Sequence, residues 1–152
     1  MPNIIKIYLD VCCLNRPFDD QTQDRIRLET EAIISILKYS RTGKSKIIGS
    51  DVIQLEIDKT PDTIRRSQLK SLSGYISSLI RTDKKVKERA IELKNMGFKA
   101  FDSFHIACAE KGNTDVFLTT DDKIIKLAIQ NKDKIKIKIY NPLIWVQENI
   151  LK

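Results

Sequence analysis

The sequence predicts an α/β fold, a three-layer α/β/α sandwich around a central, mostly parallel sheet of about four to five strands. The main observation is that short β-branched runs alternate with segments of helical period along the whole chain. A second is that no internal repeat or linker interrupts this alternation, and 152 residues suit one domain, residues 1–152. We therefore expect right-handed crossovers to cover both faces of one sheet with helices.

The individual strands and helices follow from local patterns. The apolar run at 4–9 is typical of a buried strand, and the alternation of Lys with apolar residues at 134–140 is typical of a charged edge strand. Thr60 followed by Pro61 predicts a helix start with Thr60 as the N-cap. Further strands are predicted at 46–50, 78–81 and 115–119. Helices are predicted over 24–40, from Asp51 through Glu56, from Thr60 towards Leu79, over 85–96, 100–109 and 120–130, and after Pro142.

Composition and charge narrow the classes of function. The net charge of +7 and the pI near 9.3 favour a polyanionic partner such as nucleic acid, although a lysine-rich surface also serves solubility alone. No apolar run approaches the ~20 residues of a membrane span and the start of the chain lacks a signal-peptide layout, so we expect a cytoplasmic protein with no membrane partner. Cys12, Cys13 and Cys108 lack metal-ligand spacing and are expected to pack as reduced, small hydrophobic residues, with a redox role for Cys12 or Cys13 as the alternative.

Acidic residues are predicted to gather at one edge of the sheet. Asp10 directly follows the first strand, and Asp121 and Asp122 directly follow the strand that comes fourth in the chain. Glu56 lies on the short helix that leaves the second strand. Asp102 opens a helix that leads back to the fourth strand, so its N-terminus lies at the carboxyl ends of the strands. Ligands of open parallel sheets bind at that edge, which makes these acids candidate site residues.

Each acid taken alone has a simpler explanation than catalysis. A helix cap or a first-turn acid accounts for any one of the aspartates, and an exposed position at the edge of its helix accounts for Glu56. The convergence of several acids is not explained in this way, because close carboxylates repel each other unless a cation is bound or their pKa values are raised. Oxygen ligands favour Mg²⁺ or Mn²⁺, which can polarise a phosphodiester and activate water.

The acids lie in three segments, YLDVCCLNRPFDDQ, SDVIQLEI and KAFDSFHIACAEKGNTDVFLTTDDKI. In order and spacing these segments resemble the PIN-domain nucleases, which include the VapC-type toxins of type II toxin–antitoxin pairs. The resemblance extends from Tyr8 to about Lys123. Its most specific part is DSFHIA at 102–107 followed by the TDD of 120–122.

The resemblance implies cleavage of RNA that depends on Mg²⁺ or Mn²⁺, with catalytic acids at Asp10, Glu56, Asp102 and a fourth position. The family's fourth acid stands in a Thr-x-Asp pattern, which points to Asp122. Asp121 is the open alternative, or an additional ligand. The implied metal ligands are therefore Asp10, Asp102, Asp122 and Asp121.

The chain departs from the family pattern directly after the first acid. A small polar residue is usual there, whereas Val11 and Cys12 stand here, and Asn15 is a candidate for part of that role. The resemblance also implies that His105 is a packed or hydrogen-bonding support rather than a catalytic base.

Three residues near these acids are candidates for substrate contacts: Arg16, Asn15 and Thr120. Arg16 lies close to the end of the first strand, where its guanidinium could donate two hydrogen bonds to a phosphate. The alternative for Arg16 is a solvated loop residue.

The leading hypothesis is a metal-dependent endoribonuclease that acts as the toxin of a toxin–antitoxin pair. RNA, a cognate antitoxin and a second copy of the chain are the partners that the resemblance implies. The alternative is a catalytically weak or inactive PIN-like module that binds RNA or protein. A phosphatase with an Asp-x-Asp nucleophile is disfavoured, because Cys12 stands where it would need its second acid.

Overall fold

The computed structural model describes residues 3–151, and in this part of the chain five strands form one sheet. The strands are β1 (Ile5–Leu9), β2 (Ser45–Ser50), β3 (Ile76–Ile80), β4 (Val116–Leu118) and β5 (Lys138–Tyr140). Their order is β3-β2-β1-β4-β5, and every neighbouring pair is parallel. The predicted α/β fold with a parallel sheet is confirmed.

Helices flank this sheet and complete the predicted three-layer sandwich. Within the described residues they are α1 (Val11–Asn15), α2 (Asp24–Arg41), α3 (Asp51–Asp58), α4 (Thr63–Leu72), α5 (Lys84–Asn95), α6 (Ala100–Lys111), α7 (Asp122–Gln130) and α8 (Pro142–Asn149). Short 3-10 turns at Arg16–Phe18 and Ser73–Tyr75 follow α1 and α4. Helix α2 packs against α8, and α5 packs against α6.

The middle of the sheet is also the middle of the hydrophobic core. Strands β1 and β4 contribute Ile7, Tyr8, Leu9, Phe117 and Leu118, all of them buried. The rings of Tyr8 and Phe117 stack across the two strands, with centroids 5.3 Å apart. Burial of apolar surface is the main force in folding. The buried strands β1 and β4 therefore hold the residues that follow their carboxyl ends in fixed positions.

Helix α4 begins later than predicted, and its N-cap is Asp62 rather than Thr60. Two backbone N–H groups of its first turn donate to the Asp62 carboxylate, at 2.9 and 3.0 Å. A carboxylate in this position satisfies donors that have no partner within the helix, which accounts for the start at Thr63. The helix ends at Leu72, before the 3-10 turn that leads into β3.

The lysine-rich segment at 134–140 contributes an edge strand, as predicted, but a shorter one. Only Lys138–Tyr140 pair, opposite Val116–Leu118 of β4. Because β4 has just these three residues, the ladder cannot extend further towards residue 134. Ile135 and Ile137 pack against the core instead.

The strand order reverses between β1 and β4, in the middle of the sheet. The chain runs from β1 outward through β2 to β3 and then crosses to β4, on the other side of β1. Ligands of open α/β sheets bind at such a reversal, beside the carboxyl ends of the strands. Asp10 follows β1 at this point, and its backbone N–H donates to the carbonyl of Leu118 in β4 at 3.0 Å.

Candidate active site

Asp10 is the most firmly held acid at this edge. It is the N-cap of α1, and its Oδ1 accepts from the backbone N–H of Val11 at 2.8 Å. Its Oδ2 accepts from the hydroxyl of Thr119 at 2.8 Å and from the thiol of Cys12 at 3.3 Å. The residue is only 5% exposed, and burial raises the pKa of its carboxyl above the ordinary value.

Thr119 and Cys12 both contact the carboxylate of Asp10. The Thr119 hydroxyl donates to Asp10 and accepts from the backbone N–H of Asp121 at 3.1 Å. The Cys12 sulfur also accepts from the backbone N–H of Thr120 at 3.3 Å. Asp10 is therefore linked by hydrogen bonds to the turn that follows β4.

Of the three cysteines, Cys13 and Cys108 are buried and Cys12 is partly buried, and all three are free thiols.

Glu56 is held by the one histidine of the chain. Its Oε1 lies 2.8 Å from Nε2 of His105, whose ring is fully buried. The other ring nitrogen, Nδ1, lies 2.7 Å from the hydroxyl of Tyr8, and that hydroxyl lies 2.7 Å from Oγ of Ser50. The result is a continuous chain of polar groups from the interior of the sheet to the carboxylate of Glu56.

The direction of the hydrogen bonds in this chain follows from the donors available. Ser50 Oγ accepts from the backbone N–H of Ile53 at 3.3 Å, so its own proton is free for Tyr8. Burial raises the pKa of Tyr8 well above its ordinary value, so the phenol keeps its proton and can donate it to Nδ1 of His105. In that arrangement Nε2 of His105 carries the remaining proton and donates to Glu56.

The acids of the different segments meet at this edge. Ligand atoms of Asp10, Glu56 and His105 all lie within 4.8 Å of one another. Asp102, in the first turn of α6, has a pKa raised to about 6 by burial and by the charges of Asp10, Asp121 and Glu56. Negative charge is thus disfavoured here unless a cation compensates for it. Two carboxylates and a histidine this close together could hold a metal ion.

The two adjacent aspartates after β4 have different surroundings. Asp121 is the N-cap of α7, where its Oδ1 accepts from the backbone N–H of Lys123 at 2.9 Å, and its charge contributes to the raised pKa of Asp102. Asp122 is 70% exposed and accepts two hydrogen bonds from the guanidinium of Arg25, at 2.7 and 2.8 Å. These bonds lower the pKa of Asp122. The structure therefore pairs Asp122 with Arg25, whereas Asp121 caps α7 and its charge acts on Asp102.

Solved structures resemble this chain, whereas comparisons of its sequence find no match. No protein-family model matches the sequence, and no curated protein matches it. The crystal structure of FitAcB from Neisseria gonorrhoeae has a TM-score of 0.55 at 15% identity, over 90% of this chain and 97% of that one. The chain therefore has the same fold as this structure.

Two further solved structures share the fold of this chain. VapBC2 from Rickettsia felis, bound to a DNA fragment from its promoter, has a TM-score of 0.57 at 15% identity, over 90% of this chain and 98% of that one. VapBC-1 from nontypeable Haemophilus influenzae has a TM-score of 0.57 at 9% identity, over 91% of this chain and 98% of that one. At such identities the likeness to the VapC-type proteins is one of fold.

The three residues predicted to contact substrate already form hydrogen bonds within the protein. Arg16 donates to Glu29 at 2.8 Å and to Asp19 at 3.0 Å. Asn15 donates to the backbone of its own helix at 3.1 Å, and its Oδ1 accepts from Arg65 at 2.9 Å. Thr120 is buried, and its backbone carbonyl accepts from a guanidinium nitrogen of Arg25 at 3.1 Å. Substrate contact by these three residues stays a prediction.

Several residues that shape the site were not identified from the sequence: Tyr8, Ser50 as a hydrogen-bonding partner, Thr119 and Arg25. The available signals were the tyrosine within the first predicted strand for Tyr8 and the threonine at the end of the strand predicted at 115–119 for Thr119. Arg25 carries no such signal, because an arginine in the first turn of an amphipathic helix is common.

None of the helices in residues 3–151 has the length and apolar character needed to cross a bilayer.

Proposed function

We propose that this chain is a metal-dependent endoribonuclease, the toxin of a toxin–antitoxin pair, that hydrolyses phosphodiester bonds of RNA. The observation that carries the proposal is that ligand atoms of Asp10 and Glu56 lie within 4.8 Å of each other at the carboxyl edge of the sheet. Burial and the charges of Asp10, Asp121 and Glu56 also raise the pKa of Asp102 there. The fold of the VapBC and FitAcB structures supports it. The net charge of +7 suits a polyanionic substrate.

The carboxylates of Asp10, Asp102 and Asp121 are the groups that would hold the metal. A bound Mg²⁺ or Mn²⁺ would neutralise these carboxylates, polarise the phosphodiester and lower the pKa of a bound water. The carboxylate of Asp10 is held in one orientation by three hydrogen-bond donors: Val11, Thr119 and Cys12. Burial disfavours the negative charge of Asp102, so a bound cation would stabilise its ionised carboxylate.

Glu56 is the residue placed to accept a proton from the attacking water. His105 holds its Oε1, which leaves Oε2 for a water molecule, and the side chain is 31% exposed. In hydrolysis the water oxygen would form a bond to phosphorus and give its proton to Glu56, while the bond to the leaving oxygen breaks and that oxygen takes up a proton from solvent. The Tyr8 and His105 pair keeps the carboxylate oriented and does not itself contact the substrate.

The partners and location belong to the same proposal. We infer that an antitoxin protein binds this chain and that two copies form a homodimer, as the resemblance implies, and that the protein acts in the cytoplasm. The Rickettsia felis VapBC2 structure contains a DNA fragment from its promoter, and FitAB has been solved bound to an IR36 DNA fragment. For this chain RNA remains the proposed substrate.

The central test is Asp10→Asn. This variant keeps the size of the side chain and removes its charge, so RNA cleavage in Mn²⁺ is expected to fall by about 100-fold or more. Cleavage is measured on single-stranded RNA with purified protein, with and without a chelator.

Asp133→Asn is the matched control, because Asp133 is an exposed acid on the segment between α7 and β5. It should cleave at the rate of the wild type. Full activity of Asp10→Asn, or activity unaffected by a chelator, would contradict the proposal. RNA binding without cleavage by the wild type would favour the non-catalytic PIN-like module.

A further inference from the structure

Arg25 contacts the turn between β4 and α7 at both sides of Asp121. It lies in the first turn of α2, and one of its terminal nitrogens donates to the carbonyl of Thr120 at 3.1 Å. The two terminal nitrogens also donate to the two carboxylate oxygens of Asp122, at 2.7 and 2.8 Å. One guanidinium therefore binds the residue before Asp121 and the residue after it.

The guanidinium of Arg25 is itself fixed by a buried carboxylate. Its Nε donates to Oε2 of Glu29 at 3.2 Å, and Glu29 is 1% exposed. Glu29 also accepts from Nε of Arg16 at 2.8 Å and from the side-chain amide of Asn141 at 2.6 Å. A buried carboxylate with three donors has little freedom to move, so Arg25 reaches the turn from a rigid support.

The opposite side of the same turn faces the acid cluster. The backbone N–H of Thr120 donates to the Cys12 sulfur and that of Asp121 to the Thr119 hydroxyl, and both of these groups contact Asp10. Asp121 has an extended backbone, with φ −84° and ψ 107°. Successive side chains of an extended chain point in different directions, so an Asp122 drawn to Arg25 leaves Asp121 directed elsewhere.

We propose that Arg25 and Asp122 form a clamp on the β4–α7 turn and that Asp121 is the acid which this turn contributes to the site. Arg25 and Asp122 are then positioning residues that act through Asp121. The metal-binding half of this inference rests on the proposed function, while the clamp itself is a property of the metal-free protein.

The first experiment measures amide hydrogen exchange of Thr120, Asp121 and Lys123 in the metal-free protein. We expect exchange at these amides to be at least about tenfold faster in Arg25→Ala and in Asp122→Asn, because hydrogen bonds between the turn and Arg25 of α2 are lost. The double variant should match Arg25→Ala, since both changes break the same contact. Arg27→Ala is the control, because Arg27 lies on the same helix and forms an exposed ion pair with Asp24.

The second experiment measures Mn²⁺ affinity from the rise in melting temperature as Mn²⁺ is added. Asp121→Asn should weaken Mn²⁺ binding by about 100-fold or more, and Arg25→Ala and Asp122→Asn by about tenfold, in keeping with residues that orient a ligand. RNA cleavage at saturating Mn²⁺ should recover largely in Arg25→Ala and Asp122→Asn but not in Asp121→Asn.

The outcomes separate the clamp from the proposed function. If Arg25→Ala exchanges like Arg27→Ala, the clamp is wrong. If Asp122→Asn abolishes Mn²⁺ binding while Asp121→Asn leaves it intact, Asp122 is the ligand and the assignment of Asp121 is wrong. A wild type whose melting temperature does not respond to Mn²⁺ contradicts the metal-dependent function, and the exchange measurement still decides the clamp.

Discussion

At the scale of single residues, His105 shows how a buried polar group is accommodated. A neutral imidazole has one donor and one acceptor nitrogen, and burial of either without a partner costs about 1–3 kcal/mol. Tyr8 and Glu56 supply partners for both nitrogens, and Ser50 supplies one for Tyr8. His105 therefore has a hydrogen-bonding role in the structure, in agreement with the role implied by the family resemblance.

Asp102 gives a prediction for stability at different pH values. In the metal-free protein its pKa is about 6, whereas an unfolded chain has an aspartate pKa of about 3.9. The folded protein thus binds the proton more tightly, so this group destabilises the fold above the folded pKa and ceases to do so as the pH falls. Asp102→Asn resembles the protonated form and should unfold with a free energy roughly 1 kcal/mol higher than the wild type at about pH 7, after allowance for solvent screening.

Urea denaturation in a chelator measures this difference. It should shrink towards zero as the pH is lowered to about 4, where the wild-type carboxyl is protonated in the folded state. Mn²⁺ should stabilise the wild type and not the variant. An Asp102→Asn protein that is less stable than the wild type at about pH 7 in chelator would contradict the pKa assignment.

At the scale of elements, the polarity of α6 decides where Asp102 lies. The helix leads back to β4 and starts at the carboxyl edge of the sheet, so an acid in its first turn meets an acid after β1. Periodicity and the rules of parallel sheets were sufficient to predict this juxtaposition. The same rules did not predict α1 or the 3-10 turn after it, because VCCLN has no amphipathic period and owes its helical start to the cap by Asp10.

Gly49 gives a prediction for the packing of strands β2 and β3. A Cβ added at Gly49 would lie 2.9 Å from two side-chain carbons of Ile76 and 3.2 Å from one of Leu79. Gly49→Ala is therefore expected to lower the free energy of unfolding by about 1–3 kcal/mol, because the strands must shift apart or Ile76 must leave its rotamer. Urea denaturation provides the measurement.

Gly74→Ala is the matched control, because a Cβ at Gly74 would meet nothing within 4 Å. Its stability should stay within about 0.5 kcal/mol of the wild type. Equal effects of the two substitutions would show that close approach of β2 and β3 does not limit residue 49.

At the scale of the whole molecule, charge is the property that bears on the substrate. The chain carries a net charge of +7 at neutral pH, while its acids converge at one edge of the sheet. In the proposed function, the net positive charge attracts the RNA, and a bound cation would compensate for the acids at the cleavage site. Positive charge of this kind provides affinity and little sequence specificity.

Salt dependence of RNA binding tests this view. Asp10→Asn keeps the RNA intact during the measurement, and its affinity for single-stranded RNA should fall at least about tenfold when the salt concentration rises from about 50 to about 200 mM. Fluorescence anisotropy with a labelled RNA provides the affinity. An affinity independent of salt would mean that phosphate contacts do not drive binding.

Local patterns determined the fold class, the approximate places of all five strands and the edge position of β5. They also predicted that Asp10, Glu56 and Asp102 lie at one edge of the sheet, because strand ends and helix polarity are set by short stretches of chain. The cap at Asp62 and the short β5 differ from the prediction, since a cap depends on which of several polar side chains meets the helix and a ladder depends on the length of the partner strand.

Only the tertiary structure decided how the side chains at that edge are arranged. Asp121 and Asp122 are equivalent in local pattern, and what separates them is the contact of Asp122 with Arg25, 97 residues away along the chain. The link from Ser50 through Tyr8 to His105 joins segments that are 42 and 97 residues apart. Such contacts form only when the sheet and its helices have assembled, and they depend on the direction of individual side chains, which the period of a sequence does not encode.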